Sequence, residues 1–171
     1  MAEIAKRHRW AVDLVAPKPG ERLLEIGCGH GIATGLALAT GADVVAVDRS
    51  AKMVAACLKR NAGASGLTVI EGSFETLALG GFDDVFAINV DFVRHPDRGW
   101  AKALAAATKP SGRVVLVLEA PVLRTAERFA LAAAASLVGA GFEVDTLLGD
   151  GMVAVRGVFQ NSKQLREASG R

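Results

Sequence analysis

The chain reads as an α/β protein: a doubly wound sheet of seven strands, mostly parallel, that finishes in an antiparallel hairpin. Three observations predict this. Five β-type runs are continuously apolar and are separated by stretches of helical character, the pattern of a parallel sheet covered on both faces. Only Gly149-Asp150-Gly151 separates the last two runs, too little chain for a helical crossover, so those two strands must pair antiparallel. The first run empties directly into a glycine-rich turn, which is how a strand hands over to a helix.

The elements follow in order. A short N-terminal helix over Ile4 to Ala16 carries Ile4, Trp10, Val12, Leu14 and Val15. Strands are predicted at Glu21 to Ile26, Asp43 to Val47, Leu67 to Glu71, Phe82 to Val90, Arg113 to Glu119, Phe142 to Leu148 and Met152 to Phe159. Between them, a helix over Ile32 to Ala39 is closed by Gly41. The next, over Ala51 to Asn61, has Ser50 as N-cap and Met53, Val54, Cys57 and Leu58 as its apolar stripe. A third runs from Asp97 to Thr108 and is stopped by Pro110; a fourth, Arg124 to Val138, leads to Gly139 and Gly141. No repeat, low-complexity tract or internal linker interrupts the series.

Composition narrows the function classes. With 171 residues, 51% of them hydrophobic and 22% charged, the chain has material for one domain with a sizeable core, residues 1–171, with 1–20 as an N-terminal helical segment and 160–171 as a flexible tail. Twenty basic residues against 18 acidic ones leave a net charge of +2, so nothing electrostatic calls for a nucleic acid or an anionic membrane. The cluster Lys6, Arg7, His8 and Arg9 reads as a solvated helix face or as a phosphate-binding patch. Cys28 and Cys57 lack the spacing of a metal site or a disulfide framework and are expected as reduced thiols in the cytoplasm. No segment reaches the roughly 18 uncharged apolar residues of a membrane span. Asp13 breaks the only N-terminal run that could pass for a signal core.

The chemistry concentrates in Leu23-Leu24-Glu25-Ile26-Gly27-Cys28-Gly29-His30-Gly31. Glycines at alternate positions allow positive φ and let a ligand approach the backbone, while the following helix points free N–H groups at the same spot. About seventeen residues after Gly31 a second apolar run ends in Asp48, followed by Arg49. A carboxylate at that edge can accept hydrogen bonds from both hydroxyls of a ribose. The dinucleotide fingerprint Gly-x-Gly-x-x-Gly fails in both registers, because its last glycine falls on Ile32 or on Thr34.

This order of residues resembles the class I S-adenosylmethionine-dependent methyltransferases, whose first motif is Glu/Asp-x-Gly-x-Gly-x-Gly and whose second strand ends in an acid. Lys109-Pro110-Ser111-Gly112-Arg113-Val114-Val115 is similar to the segment that turns the family's chain into strand five. Phe82-Asp83-Asp84-Val85 resembles the start of its strand-four motif. The resemblance covers nearly the whole chain and implies a Rossmann-like fold and S-adenosyl-L-methionine as cofactor. It places Glu25, Gly27, Cys28, Gly29, His30, Gly31, Asp48, Arg49, Ser73, Phe74 and Asn89 around that cofactor, with the N-terminal helix as a partial lid. Ser73 stands where the family commonly has an aspartate that accepts from the adenine amino group. A serine hydroxyl can still accept that bond, or the Phe74 N–H and apolar walls carry adenine alone.

The implied reaction is methyl transfer to a small-molecule oxygen or nitrogen acceptor. Few catalytic residues are needed, since the protein mainly binds and aims; a general base adds roughly 10²- to 10⁴-fold where the acceptor carries a proton. His95 and Asp91, just past strand four, are the candidates for base or orienting group. The bland readings are Asp91 as a turn residue and His95, before Pro96, as a surface loop residue. Trp10 and Phe92 could line a pocket or simply belong to the core. Asn89-Val90-Asp91-Phe92 lacks both prolines of the signature of enzymes that methylate base or glutamine amino groups. An aminopropyl transferase, a nucleic-acid or protein amino-group methyltransferase and a non-catalytic cofactor-binding domain are the alternatives, and the open architecture leaves room for a homodimer.

Overall fold

The computed structural model describes residues 4–95 and 97–160. The elements are α1 (Lys6–Val15), β1 (Arg22–Ile26), α2 (Ile32–Leu38), β2 (Asp43–Asp48), α3 (Ala51–Arg60), β3 (Leu67–Glu71), β4 (Phe82–Ile88), α4 (Trp100–Ala107), β5 (Thr108–Glu119), α5 (Leu123–Gly139), β6 (Phe142–Gly149) and β7 (Met152–Phe159). They form one seven-stranded sheet in the order β3-β2-β1-β4-β5-β7-β6. The first five strands are parallel, and β7 is antiparallel to both of its neighbours. This is the sheet expected from the sequence.

Alternate residues of each buried strand serve opposite faces, as the two-residue period of a strand requires. Leu23, Val44, Phe86, Val115 and Val117 pack on Ala11, Val12 and Val15 of α1 and on Ala33 and Ala37 of α2. Their neighbours Leu24, Val45, Val85, Val114 and Leu116 pack on Trp100 and Leu104 of α4 and on Ala126, Ala130, Ala133 and Leu137 of α5. Small residues on the buried side of α5 let that long helix lie close to the sheet. Each fully buried valine, leucine or phenylalanine contributes about 1.5–3 kcal/mol, so the two clusters are the main source of stability.

Four local differences from the sequence reading have physical causes. Ser50 makes no side-chain cap at the start of α3; the Met53 N–H that its hydroxyl would have taken donates to the Ser50 carbonyl, at 2.9 Å, and the Ser50 N–H donates to the Asp48 carboxylate, at 2.9 Å. β5 begins at Thr108, earlier than expected, because Phe82 pairs with Thr108 and a register shift absorbs the Pro110-Ser111-Gly112 turn before Asp84 pairs with Arg113. α4 starts only at Trp100, after Gly99 has taken φ 105° and donated its N–H to Asp97 Oδ1 at 2.7 Å. β4 ends at Ile88, because Asn89 takes φ 53° and leads into a single 3-10 turn, Asp91–Arg94.

The hairpin turn is Asp150-Gly151, both with positive φ (46° and 77°), which matches the twist of the flanking strands. Trp10 packs on the end of this hairpin: a Cβ on Gly149 would sit 3.0 Å from its ring. The helix expected as a partial lid thus lies along the sheet against α2, β4 and β5, with Ala11, Val12 and Val15 buried. The expected tail falls, apart from Gln160, outside the described residues. Among the described residues no helix is long and apolar enough to cross a membrane.

Candidate functional site

Strand order reverses between β1 and β4. The helix after β1 covers one face and the helix after β4 covers the other, so a crevice opens above their C-terminal ends. A cavity of about 710 Å³ occupies it. Its walls come from successive strand ends: Ile26 and Gly27 after β1, Val47, Asp48 and Arg49 after β2, Gly72 to Glu75 after β3, and Ile88 to Phe92 after β4. His95, Arg98 and Trp100 complete the rim.

The glycine turn is built as its sequence predicts, with φ of 71° at Gly27, 52° at Gly29 and 71° at Gly31. The three glycines do different work. A Cβ on Gly27 would lie 2.8 Å from Val90 Cγ1, and one on Gly31 would lie 2.7 Å from Cys57 Sγ and 3.0 Å from its Cα. These two are needed for packing. A Cβ on Gly29 would meet no protein atom within 4 Å, so that position is open to a ligand.

Asp48 braces this turn. One carboxylate oxygen accepts the Gly29 N–H at 2.9 Å and the other the Ser50 N–H at 2.9 Å, while Gly27 and Cys28 donate their N–H groups to Val47 O at 2.7 and 3.1 Å. Asn61 Nδ2 holds Gly31 O at 3.0 Å, and Arg60 Nε holds His30 O at 2.8 Å. Each Asp48 oxygen keeps a lone pair for a further donor.

The other predicted residues divide. Arg49, Ser73, Phe74, Asn89, Asp91 and His95 line the cavity together with Gly27 and Asp48. Asn89 does so with its amide oxygen already accepting the Glu119 N–H at 2.7 Å, which braces the end of β5. His95 Nε2 and Asp91 Oδ2 are 3.3 Å apart, both well exposed. Glu25, Cys28, Gly29, His30 and Gly31 are not among the cavity walls; Gly29 is tied to them only through its N–H bond to Asp48.

Glu25 is the clearest difference from expectation. It shares the strand face of Leu23, which looks towards α2, and its carboxyl is 3% exposed and accepts the Thr34 hydroxyl proton. Burial pushes its pKa up to about 8, against the pull of the Thr34 hydrogen bond. It supports the turn from below. Cys28 and Cys57, with Ala46, form a small buried cluster under the same turn. There the neighbouring Cys57 and burial together push the Cys28 thiol above its ordinary value.

Sequence reasoning missed Glu75, Arg98 and Trp100 among the walls. The aromatic side of the cavity is a run of three tilted rings, Phe74 to Phe92 at 4.9 Å and Phe92 to Trp100 at 5.1 Å. Phe74 and Trp100 come from separate segments and Trp100 opens an ordinary amphipathic helix, so nothing local marked it. Among the described residues no group of acidic, histidine or cysteine side chains could hold a metal ion.

A family model described as a methyltransferase domain matches residues 23–112, more than half of the chain. The demethylmenaquinone methyltransferase of Clavibacter sepedonicus is 34% identical over 107 residues, 60% of this chain and 42% of that protein. A protein-L-isoaspartate O-methyltransferase of Methylorubrum extorquens is 32% identical over 114 residues, 64% of this chain and 47% of that protein. The chain therefore spans less than half the length of these two curated relatives. Among solved structures, a SAM-dependent methyltransferase from Aquifex aeolicus superposes with a TM-score of 0.73 at 16% identity, over 89% of each chain.

Proposed function

The chain belongs to the methyltransferase-domain family of class I S-adenosylmethionine-dependent enzymes, and from that premise we propose that it transfers the methyl group of S-adenosylmethionine to an oxygen or nitrogen of a small-molecule acceptor. The observation that carries the reading is Asp48 in the wall of one 710 Å³ cavity at the end of β2, where its carboxylate also holds the N–H of Gly29, a position at which a Cβ would meet no protein atom. The volume falls in the range of small-molecule and cofactor sites, about 300–1,000 Å³. The residues present fit the cofactor: a carboxylate with spare lone pairs at the β2 edge, a glycine whose missing Cβ leaves room for the ligand, and an apolar wall of Phe74 and Phe92.

When bound, S-adenosylmethionine supplies a methyl group already activated on a sulfonium. In this proposal Asp48 accepts from the ribose hydroxyls and Gly29 leaves the turn open to the methionine portion. Phe74 and Phe92 form one apolar wall against the base, with Arg49 and Ser73 at its rim. Gly27, Cys28, His30 and Gly31 form the turn itself, and Glu25 holds that turn through Thr34. Asn89 fixes the start of the loop after β4 by bonding Glu119, so that Asp91 and His95 leave the sheet at the cavity rim. That pair is suited to receive a proton from the acceptor, or to orient it, with Asp91 steadying His95. The same reading treats residues 1–171 as one cofactor-binding domain.

The near balance of charge favours a small molecule over a polyanion as acceptor. Incubation with methyl-labelled S-adenosylmethionine and fractionated cell extract tests this. Label in the small-metabolite fraction is the expected result. Label confined to protein or RNA would overturn the acceptor class, and cofactor binding with no transfer to any fraction would favour a binding domain.

A further inference from the structure

Resting on that reading, we propose that Glu75 is a positioning residue that makes the cavity selective for a 6-aminopurine base, by holding the Ser73 hydroxyl as a hydrogen-bond acceptor. A nucleoside anchored by its ribose at Asp48 meets β3 as the next strand outward, where Asp48 is in register with Glu71 and Asp48 O accepts the Gly72 N–H at 2.9 Å. The wall it faces there is Ser73, Phe74 and Glu75, all three lining the cavity.

A serine hydroxyl has one proton and two lone pairs, so alone it can donate to a ligand or accept from one. Here the proton is committed: Ser73 Oγ donates to Glu75 Oε2. The Ser73 carbonyl is also occupied, by the Thr76 and Leu77 N–H groups at 3.1 and 3.2 Å and by the Thr76 hydroxyl at 3.0 Å. The Ser73 and Glu75 side chains therefore offer the cavity acceptor capacity only. Beside them the Phe74 N–H, like those of Ser73 and Glu75, has no protein partner among the described residues and is open as a donor.

An acceptor next to a donor is the complement of a 6-aminopurine, whose amino group donates and whose N1 accepts. A 6-oxopurine reverses both positions, with O6 accepting and N1–H donating. The oxo base would set acceptor against acceptor and donor against donor. A carboxylate at position 73 would enforce the same choice directly; with serine there, the choice depends on Glu75.

Calorimetry on the full chain with S-adenosylhomocysteine and its 6-oxo counterpart, S-inosylhomocysteine, reads the selectivity as a ratio of dissociation constants. The parent protein is expected to prefer the amino compound by about 100-fold, the order that two mismatched hydrogen bonds at an open cavity rim would give. In Glu75→Ala the released hydroxyl can turn to donate to O6. The ratio should fall below about tenfold while the amino compound loses only severalfold in affinity. The double variant Ser73→Asp/Glu75→Ala rebuilds an acceptor-only edge and should recover the preference. Glu75 is exposed, so the thermal midpoint should not move, and a merely structural role would leave the ratio untouched. Equal affinity of the parent for both compounds, or an unchanged ratio in Glu75→Ala, would overturn this inference alone. Failure of the parent to bind either compound would overturn the cofactor reading and this inference with it.

Discussion

Replacing Asp48 by alanine removes two kinds of interaction whose sizes can be separated. In the protein itself the carboxylate accepts the Gly29 and Ser50 N–H groups, both at 2.9 Å. Hydrogen bonds to a charged group contribute about 1.5–3 kcal/mol when buried. Asp48 is half-buried, so water takes over part of each bond and the net cost should be about 1–3 kcal/mol. For a chain of this size each kcal/mol lowers the thermal midpoint by roughly 2–4 °C. Binding changes separately: losing one charge-assisted bond to a ribose hydroxyl weakens the complex roughly 10- to 100-fold. The dissociation constant for S-adenosylhomocysteine and the thermal midpoint should be measured together on the parent and on Asp48→Ala. A midpoint lowered by several degrees with a dissociation constant within twofold of the parent would refute the reasoning, because Asp48 would then brace the turn and nothing more.

Gly29→Ala should bind cofactor at least tenfold more weakly while losing only about 1 kcal/mol of stability from its positive φ, since its methyl meets no protein atom. Gly27→Ala should lose more stability, because its Cβ would press on Val90 at 2.8 Å; an equal loss in both, seen by urea unfolding, would contradict that division. Glu25 keeps its proton in the folded chain up to about pH 8 but releases it near 4.5 when unfolded, so its contribution is complete below about pH 4.5 and falls away as pH rises to about 8. Between pH 5.5 and 7.5 the parent should therefore lose about 1–3 kcal/mol relative to Glu25→Gln, and parallel pH profiles would show that Glu25 is not held protonated. Arg113 donates two bonds, 2.7 and 2.6 Å, to Asp84, whose side chain is only 2% exposed. Arg113→Ala should cost about 2–4 kcal/mol in denaturant unfolding with cofactor affinity unchanged, and a cost under about 1 kcal/mol would mean that water reaches Asp84.

What was legible in the sequence was what local backbone chemistry dictates. Three alternate glycines after an apolar run, an acid closing the next run and a two-residue Asp150-Gly151 turn each force one geometry, and each is found. Side-chain direction was not legible in β1. With both sheet faces covered, Leu23, Leu24 and Ile26 are all apolar, so no contrast marked Glu25 as facing α2. The resemblance carried Glu25 into the cofactor's surroundings, whereas its carboxyl lies beneath the turn with Thr34. Asn89 looked like a ligand contact because it sits at the right edge, yet its amide oxygen serves the Glu119 N–H, a pairing thirty residues away in the chain that only the β4–β5 register reveals. The Ser50 cap is missing because the Met53 N–H it would have held already donates to the Ser50 carbonyl, a backbone detail that residue type does not reveal. Trp100 and Arg98 reach the cavity because α4 is delayed to residue 100 by the Asp97–Gly99 turn, an event below the resolution of periodicity.

The central claim is that the crevice above β1, β2 and β4 is built for S-adenosylmethionine. Isothermal titration of the parent chain with S-adenosylmethionine, and in parallel with a nicotinamide dinucleotide, tests it most directly. The account predicts saturable one-to-one binding of S-adenosylmethionine and no binding of the dinucleotide, whose fingerprint fails at Ile32 and Thr34. Tight dinucleotide binding with no response to S-adenosylmethionine would contradict it.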